Sequence, residues 1–214
     1  MAQPSDQHQH RTTEGSTIGW WAPCYDIAAW LVTFGRINAI RKQTLRVAAL
    51  QPGQSVLDVG CGTGALTRLA AHAVGTAGRT VGTDASPQMI AVARKNTARM
   101  APPIEFRVEP IEHLSFADGE FDAVLSSLML HHLPDGLKDR GLAEVRRVLK
   151  PGGRLVVVDM SGAHGILGYF AGHRLPSDYP KQLQARIAAA GFGSVQQVAT
   201  MYGMMFVLAT ATLQ

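Results

Sequence analysis

Two cysteines in 214 residues, Cys24 and Cys61, are too few for a disulfide framework and suit a reducing, cytoplasmic setting. No apolar stretch approaches the roughly 20 residues that cross a bilayer, and the first 17 residues are polar, unlike a secretory signal. Charge is sparse at 17%, and the net +4 is spread along the chain without the block of like charge that makes a nucleic-acid arm. Aromatics are few at 7% and show no aromatic and glycine signature of an RNA-binding sheet, so no nucleic-acid partner is expected. A moderately basic surface still favours anionic substrates or anionic lipid. There is no internal repeat. What the chain does have is 46% hydrophobic content, enough for one α/β core and too little length for two large domains.

The apolar pattern alternates between strand and helix. Residues 1–15 are rich in Gln, His, Ser and Thr and read as a disordered tail. A helical preface over 20–50 follows, broken at Gly35, with Ile27, Trp30, Leu31 and Phe34 before the break and Ile37, Ile40, Thr44 and Val47 after it. Strands are expected near 54–59, 79–83, 104–108 and 121–126, with helices from 65, from 87 and near 136–149. Ser86-Pro87 opens the second of these helices with a capping hydroxyl and a preset first φ. Pro151-Gly-Gly153 reads as the stop of the third, before a strand from Arg154 to Asp159. A helix near 178–190 precedes two runs, Val195–Thr200 and Met204–Ala211, too close together for a crossover helix and therefore an antiparallel hairpin. The expected fold is α/β and Rossmann-like, a seven-stranded, mostly parallel sheet finished by that hairpin and preceded by a helical extension.

Chemistry concentrates at Ser55-Val-Leu-Asp-Val-Gly-Cys-Gly-Thr-Gly64, where an apolar strand runs through an acid into three alternate glycines. Glycines at 60, 62 and 64 let the backbone approach a ligand closely, and the next helix aims its free N–H groups at the turn. As Gly60-x-Gly62-x-x-Ala65 the loop also satisfies the dinucleotide fingerprint, and Asp84 at the next strand end can hold ribose hydroxyls in either case. Asp58 separates the two. A pyrophosphate beside its carboxylate is repelled by on the order of 1 kcal/mol or more, while a sulfonium or ammonium is attracted. The loop therefore favours S-adenosyl-L-methionine over a nicotinamide dinucleotide.

Four segments together resemble the class I S-adenosylmethionine-dependent methyltransferases: Val56 to Gly64, Val81-Gly-Thr-Asp-Ala-Ser-Pro-Gln-Met-Ile90, Phe121 to Pro134, and Leu149-Lys-Pro-Gly-Gly-Arg-Leu-Val-Val-Val-Asp159. The opening Trp21-Ala-Pro-Cys-Tyr-Asp26 resembles that of the quinone-precursor C-methyltransferases of ubiquinone and menaquinone synthesis and of the bacterial phosphatidylethanolamine N-methyltransferases. The resemblance implies a lid over 16–50, a cofactor-binding methyltransferase domain over 51–214, and an acceptor that is a quinone precursor, a phospholipid amine or another lipid-like small molecule. It implies that Gly60, Cys61, Gly62 and Gly64 bear on the methionine part, with Asp58 aiding through its amino group. Asp84 takes the ribose, Ala85 and Met89 pack on adenine, and Ser126 stands at the end of the fourth strand. The family's acid-then-small pair after the third strand is replaced by Pro110-Ile111, so the Ile111 N–H is the expected adenine donor and Glu109 points elsewhere. Glu112 and His113 are expected in solvent.

A general base, where one is needed, belongs beyond the fourth strand, where Ser126, Ser127, His131 and His132 lie. Two adjacent histidines on a short turn are expected to point in different directions, so at most one of them faces the acceptor, the alternative being a satisfied structural imidazole. Tyr25 is the further candidate, orienting the methyl group. No third ligand accompanies the histidine pair, so no metal is expected. The aromatic residues of the preface followed by Arg36, Arg41, Lys42 and Arg46 can meet the inner face of a membrane, or bury an apolar stripe against the sheet and leave the cations in water. Residues 162–172, glycine-rich with Ile166, Leu167, Tyr169 and Phe170, read as an apolar cover. The competing functions are an NAD(P)-dependent oxidoreductase and a protein that binds S-adenosylmethionine without transferring its methyl.

Overall fold

Apolar runs bounded by turn residues become the strands of one sheet. A computed structural model describes residues 33–161 and 175–212. In chain order the elements are α1 (Ile37–Ala48), β1 (Ser55–Val59), α2 (Ala65–Val74), β2 (Arg79–Asp84), α3 (Pro87–Thr97), β3 (Glu105–Val108), β4 (Phe121–Ser127), a 3₁₀ turn (Leu130–His132), α4 (Asp135–Val148), β5 (Leu149–Met160), α5 (Tyr179–Ala189), β6 (Phe192–Met201) and β7 (Met204–Ala211). The sheet order is β3-β2-β1-β4-β5-β7-β6, parallel through β5 and antiparallel for the final hairpin. This is the expected α/β fold.

β1 sits between β2 and β4, pairing Leu57 with Val81 on one side and with Val124 on the other. Chain direction across the sheet reverses here, and in such sheets the crevice for a ligand opens at the carboxyl ends of the strands on either side of the reversal. Val56, Leu57, Val59, Val124 and Leu125 are all fully buried, as a parallel sheet covered on both faces requires.

α1 begins where Thr33 Oγ1 accepts from the Ile37 N–H at 3.0 Å, just before Gly35 turns the chain at φ 76. It buries Ile37, Ile40, Thr44 and Ala48 over β5 and β7, so its stripe closes on Ala48 rather than on the expected Val47. Lys42 and Arg46 are left in water. Among the described residues the preface therefore takes the commoner fate of an amphipathic helix. Ser86 caps α3 as expected, its Oγ accepting from the Met89 N–H at 3.3 Å.

One element departs from its sequence pattern. Pro151-Gly-Gly153 does not end a helix; α4 stops at Val148 and β5 has begun by Leu149. The pairing of β4 with β5 jumps from Phe121↔Leu149 to Ala123↔Arg154, so the Pro-Gly-Gly bulges out of a longer strand.

Candidate functional site

The cleft opens at the reversal point, between α1, the glycine loop and the end of β4. Ile37 and Arg41 line it from α1, Asp58, Gly60, Cys61, Gly62 and Thr63 from β1 and its loop, and Ser127 and Leu128 from the exit of β4.

Asp58 governs the electrostatics. It is 1% exposed and accepts a 2.6 Å hydrogen bond from Thr67 Oγ1 of α2. Burial raises its pKa from 3.8 to about 7, against the opposing pull of Thr67 and the charge of Arg41. The carboxyl therefore stands at the edge of ionisation, and a cation brought beside it completes the ionisation. Asp84 is held by the Gly62 N–H at 3.0 Å and the Ser86 N–H at 2.8 Å, which oppose the upward push of its burial. Those two bonds leave half of its acceptor sites for a ligand. The Cys61 thiol, buried and facing Asp58 and Asp84, is pushed up and stays protonated, so it packs with Ile90, Ala93 and Phe106 rather than reacting.

The glycines divide the work. Gly60 (φ 69) and Gly62 (φ 53) adopt left-handed backbone and line the cleft. A Cβ on Gly60 would stand 2.4 Å from Met129 Cγ, so its bareness also seats the chain leaving β4. A Cβ on Gly64, expected to face the ligand, would stand 3.0 Å from Phe106 and 3.1 Å from Ala93, so its bareness serves packing at the start of α2. Ser126, Ala85, Met89 and Ile111 lie outside the cleft lining; Ile111 packs against Gly141 of α4 and Met89 is buried. The Ser126 hydroxyl is buried with no hydrogen-bond partner, a polar atom with unspent capacity at the carboxyl end of β4.

After β3, Glu109 turns away from the cleft to accept from the Ser115 N–H at 3.2 Å and from its hydroxyl. His113 is exposed as expected, but Glu112 is half-buried rather than solvated. Its loop folds back, with the His113 N–H donating to Pro110 O at 3.1 Å and Ile111 sunk into the core.

The histidine pair corrects one expectation. The rings do not diverge: their centroids lie 3.9 Å apart with planes at 41°, because the 3₁₀ turn brings the neighbouring rings into tilted contact. What separates them is burial and partners. His131 is buried, and its Nδ1 lies 2.5 Å from Asp159 Oδ1; His132 is half-buried. Asp159, 0% exposed at the end of β5, also accepts from the His131 N–H, the Met160 N–H and the Tyr179 hydroxyl.

Arg41, Thr67, Leu128, Asp159 and Tyr179 were not among the expected site residues. A signal existed for Asp159, since it stands at the carboxyl end of an apolar run as Asp58 and Asp84 do. None existed for Tyr179, which reaches the site only through the packing of α5. Tyr25 and the cover over 162–172 lie outside the described residues. Among the described residues no group of His, Cys, Asp and Glu is arranged to hold a metal, and no helix is long and apolar enough to cross a membrane.

A cleft at the reversal of a seven-stranded sheet, with a buried acid behind a glycine turn and a second acid at the next strand end, defines a class I nucleoside-cofactor enzyme. The groups fit S-adenosylmethionine: a buried carboxyl for a cation, a bare backbone cradle, and a strand-end acid with acceptor sites to spare for ribose hydroxyls. A family profile described as "Methyltransferase domain" matches residues 56–153. The demethylmenaquinone methyltransferase of Bacillus cereus is 33% identical over 169 residues, 78% of this chain and 70% of the relative. The arsenite methyltransferase of Halobacterium salinarum is 41% identical over 114 residues, 53% of this chain and 29% of the relative. A SAM-dependent methyltransferase structure from Aquifex aeolicus superposes with a TM-score of 0.66 at 21% identity, over 80% of this chain and 89% of its own, which speaks for the fold. The chain belongs to the class I S-adenosylmethionine-dependent methyltransferases, near the quinone methyltransferases. It is an S-adenosylmethionine-dependent methyltransferase, and the oxidoreductase reading is set aside.

Proposed function

We propose that the acceptor is an apolar, reduced quinone precursor methylated at a ring carbon, with His131 as the group that takes its proton. The observation that carries this reading is the buried Asp159 on Nδ1 of His131, directly beyond the cleft residues Ser127 and Leu128. Support for an apolar acceptor comes from Met160, Met204 and Phe206, which cluster with Leu128 beside the cleft, and from the relationship to a demethylmenaquinone methyltransferase.

When bound, S-adenosylmethionine supplies an electrophilic methyl group and departs as a neutral thioether. The chain's residues must hold it, align the ring and accept one proton. Loss of a phenolic proton raises electron density at the neighbouring ring carbon. As the carbon–methyl bond forms, the methyl–sulfur pair stays on sulfur; the ring carbon then loses its own hydrogen as a proton, and the phenolic oxygen takes a proton back. Each methyl gained thus releases one proton from the acceptor, and His131 is the imidazole placed to relay it to solvent.

For the cofactor, Asp58 takes the amino group, Gly60, Cys61 and Gly62 lie along the methionine part, and Asp84 takes the ribose. Ala85, Met89, the Ile111 N–H and Ser126 border the adenine and ribose beyond, and Tyr25 and residues 16–50 cover the acceptor. Phe34 and Tyr202 are 64% and 49% exposed beside α1, with Arg36 4.8 Å from the Tyr202 ring centroid; this apolar and cationic rim supports contact with a lipid surface.

Arg41 adds the counterpart to Asp58. It lines the same cleft and its charge acts on that carboxyl, so the pair suits a zwitterionic amino-acid end. Arg41→Gln should weaken S-adenosylhomocysteine binding by about tenfold, the worth of one charged hydrogen bond. It should leave 5′-methylthioadenosine, which has no carboxylate, unaffected in the same calorimetric titration; equal losses for both ligands would remove Arg41 from this role. Asp84→Ala should cost S-adenosylhomocysteine about 1–3 kcal/mol of affinity. Unchanged affinity would put the ribose elsewhere.

A further inference from the structure

We infer that Asp159 and Tyr179 are positioning residues that hold His131 in a single tautomer, Nδ1–H, so that Nε2 is the atom that accepts a proton. The inference rests on the reading of His131 as proton acceptor, but its first test does not need catalysis.

The argument is a count of donors. Asp159 Oδ1 receives the Met160 N–H at 2.8 Å and faces His131 Nδ1 at 2.5 Å; Oδ2 receives the His131 N–H at 3.0 Å and the Tyr179 hydroxyl at 2.9 Å. Two of these partners are backbone amides and can only donate, one to each oxygen. With the two amides and the Tyr179 hydroxyl donating to it, the site stabilises the ionised carboxylate, and the proton between it and the ring rests on the more basic imidazole nitrogen. The buried group is therefore satisfied as a carboxylate that accepts on both oxygens, and Nδ1 must be the donor. A neutral imidazole with Nδ1 protonated carries its lone pair on Nε2.

Tyr179, the first residue of α5, fixes the carboxylate in turn. Its hydroxyl is pushed up by burial and by the charge of Asp159, so it stays protonated and donates. Lys138 of α4 is buried beside the Tyr179 ring, its Nζ 5.4 Å from the centroid and 3.1 Å from Asp135. The device thus draws on the turn after β4, the end of β5 and the start of α5, three segments that only the folded sheet brings together.

The same bonds could merely clip the turn in place, and the tautomer separates the two roles. In protein labelled with ¹⁵N at histidine, above neutral pH, the His131 signals, assigned by their loss in His131→Gln, should show a protonated Nδ1 and a bare Nε2. A protonated Nε2 in the wild type would overturn the inference. Asp159→Asn places an amide NH₂ against a backbone N–H in either orientation and should lower kcat for methyl transfer by about 10²- to 10⁴-fold. The KM for the acceptor and the affinity for S-adenosylhomocysteine should stay within about twofold. Tyr179→Phe keeps three of the four donors and should keep the tautomer while lowering kcat by less than tenfold. Wild-type kcat in folded Asp159→Asn would overturn the inference. An Nδ1–H signal together with undiminished transfer by His131→Gln would instead refute the proton-acceptor reading and leave the tautomer assignment standing.

Discussion

Replacing Asp58 with asparagine should make the protein more stable and its cofactor site worse. In the folded chain burial raises the Asp58 carboxyl from 3.8 to about 7. Between those values the native state holds a proton that the unfolded chain has released, so stability falls as pH rises from about 4 to about 7 and then levels off. A shift of this size is worth on the order of 4 kcal/mol once the group is fully ionised. Asp58→Asn removes that charge while Thr67 can still donate to the amide oxygen, so denaturant unfolding above neutral pH should show a gain of about 1–3 kcal/mol and a flatter pH dependence. Cofactor affinity should move the other way. A cation beside Asp58 binds its carboxylate form, so wild-type affinity for S-adenosylmethionine should weaken by up to about tenfold per unit as pH falls below 7. In Asp58→Asn the affinity should drop about 10- to 100-fold and lose that slope. An undiminished affinity, still sloping with pH, would mean the cation is held by something else.

His131→Gln should separate binding from chemistry. Glutamine can still donate one N–H toward Asp159, so the buried carboxylate keeps a partner and the fold should survive. Transfer to a reduced quinone should fall by about 10²- to 10⁴-fold, the usual worth of a positioned general base. S-adenosylhomocysteine affinity should remain within about twofold, because His131 does not line the cofactor cleft. A variant that transfers at the wild-type rate would show that the proton leaves by another route.

The parallel strands were legible because each is a short, nearly unbroken apolar run ending in a turn residue or an acid, and the site lies where those runs end. Asp58 and Asp84 could be read for the same reason: an acid closing such a run is deposited at the edge of the sheet that binds ligands. Gly60 and Gly62 were legible as a turn, but the facing of each glycine was not. That Gly64 meets Phe106 depends on how α3 and β3 pack, which no local pattern encodes. Pro151-Gly-Gly153 misled because a bulge inside a strand and a stop after a helix call for the same residues. The 3₁₀ turn tilts His131 against His132 through one local geometry among several open to that segment. Tyr179 stands 20 residues beyond Asp159 in sequence, and only the return of α5 onto the sheet joins them. Arg41 lies one residue from the buried stripe of α1, where helical periodicity marks only a polar position.

The most direct measurement is transfer of a labelled methyl group from S-adenosylmethionine to acceptors offered in lipid vesicles: a reduced demethylated quinone, its oxidised form and phosphatidylethanolamine. The account predicts label on a ring carbon of the reduced quinone, little on the oxidised form and none on the amine. Label on the amine, or equal labelling of oxidised and reduced quinone, would contradict it.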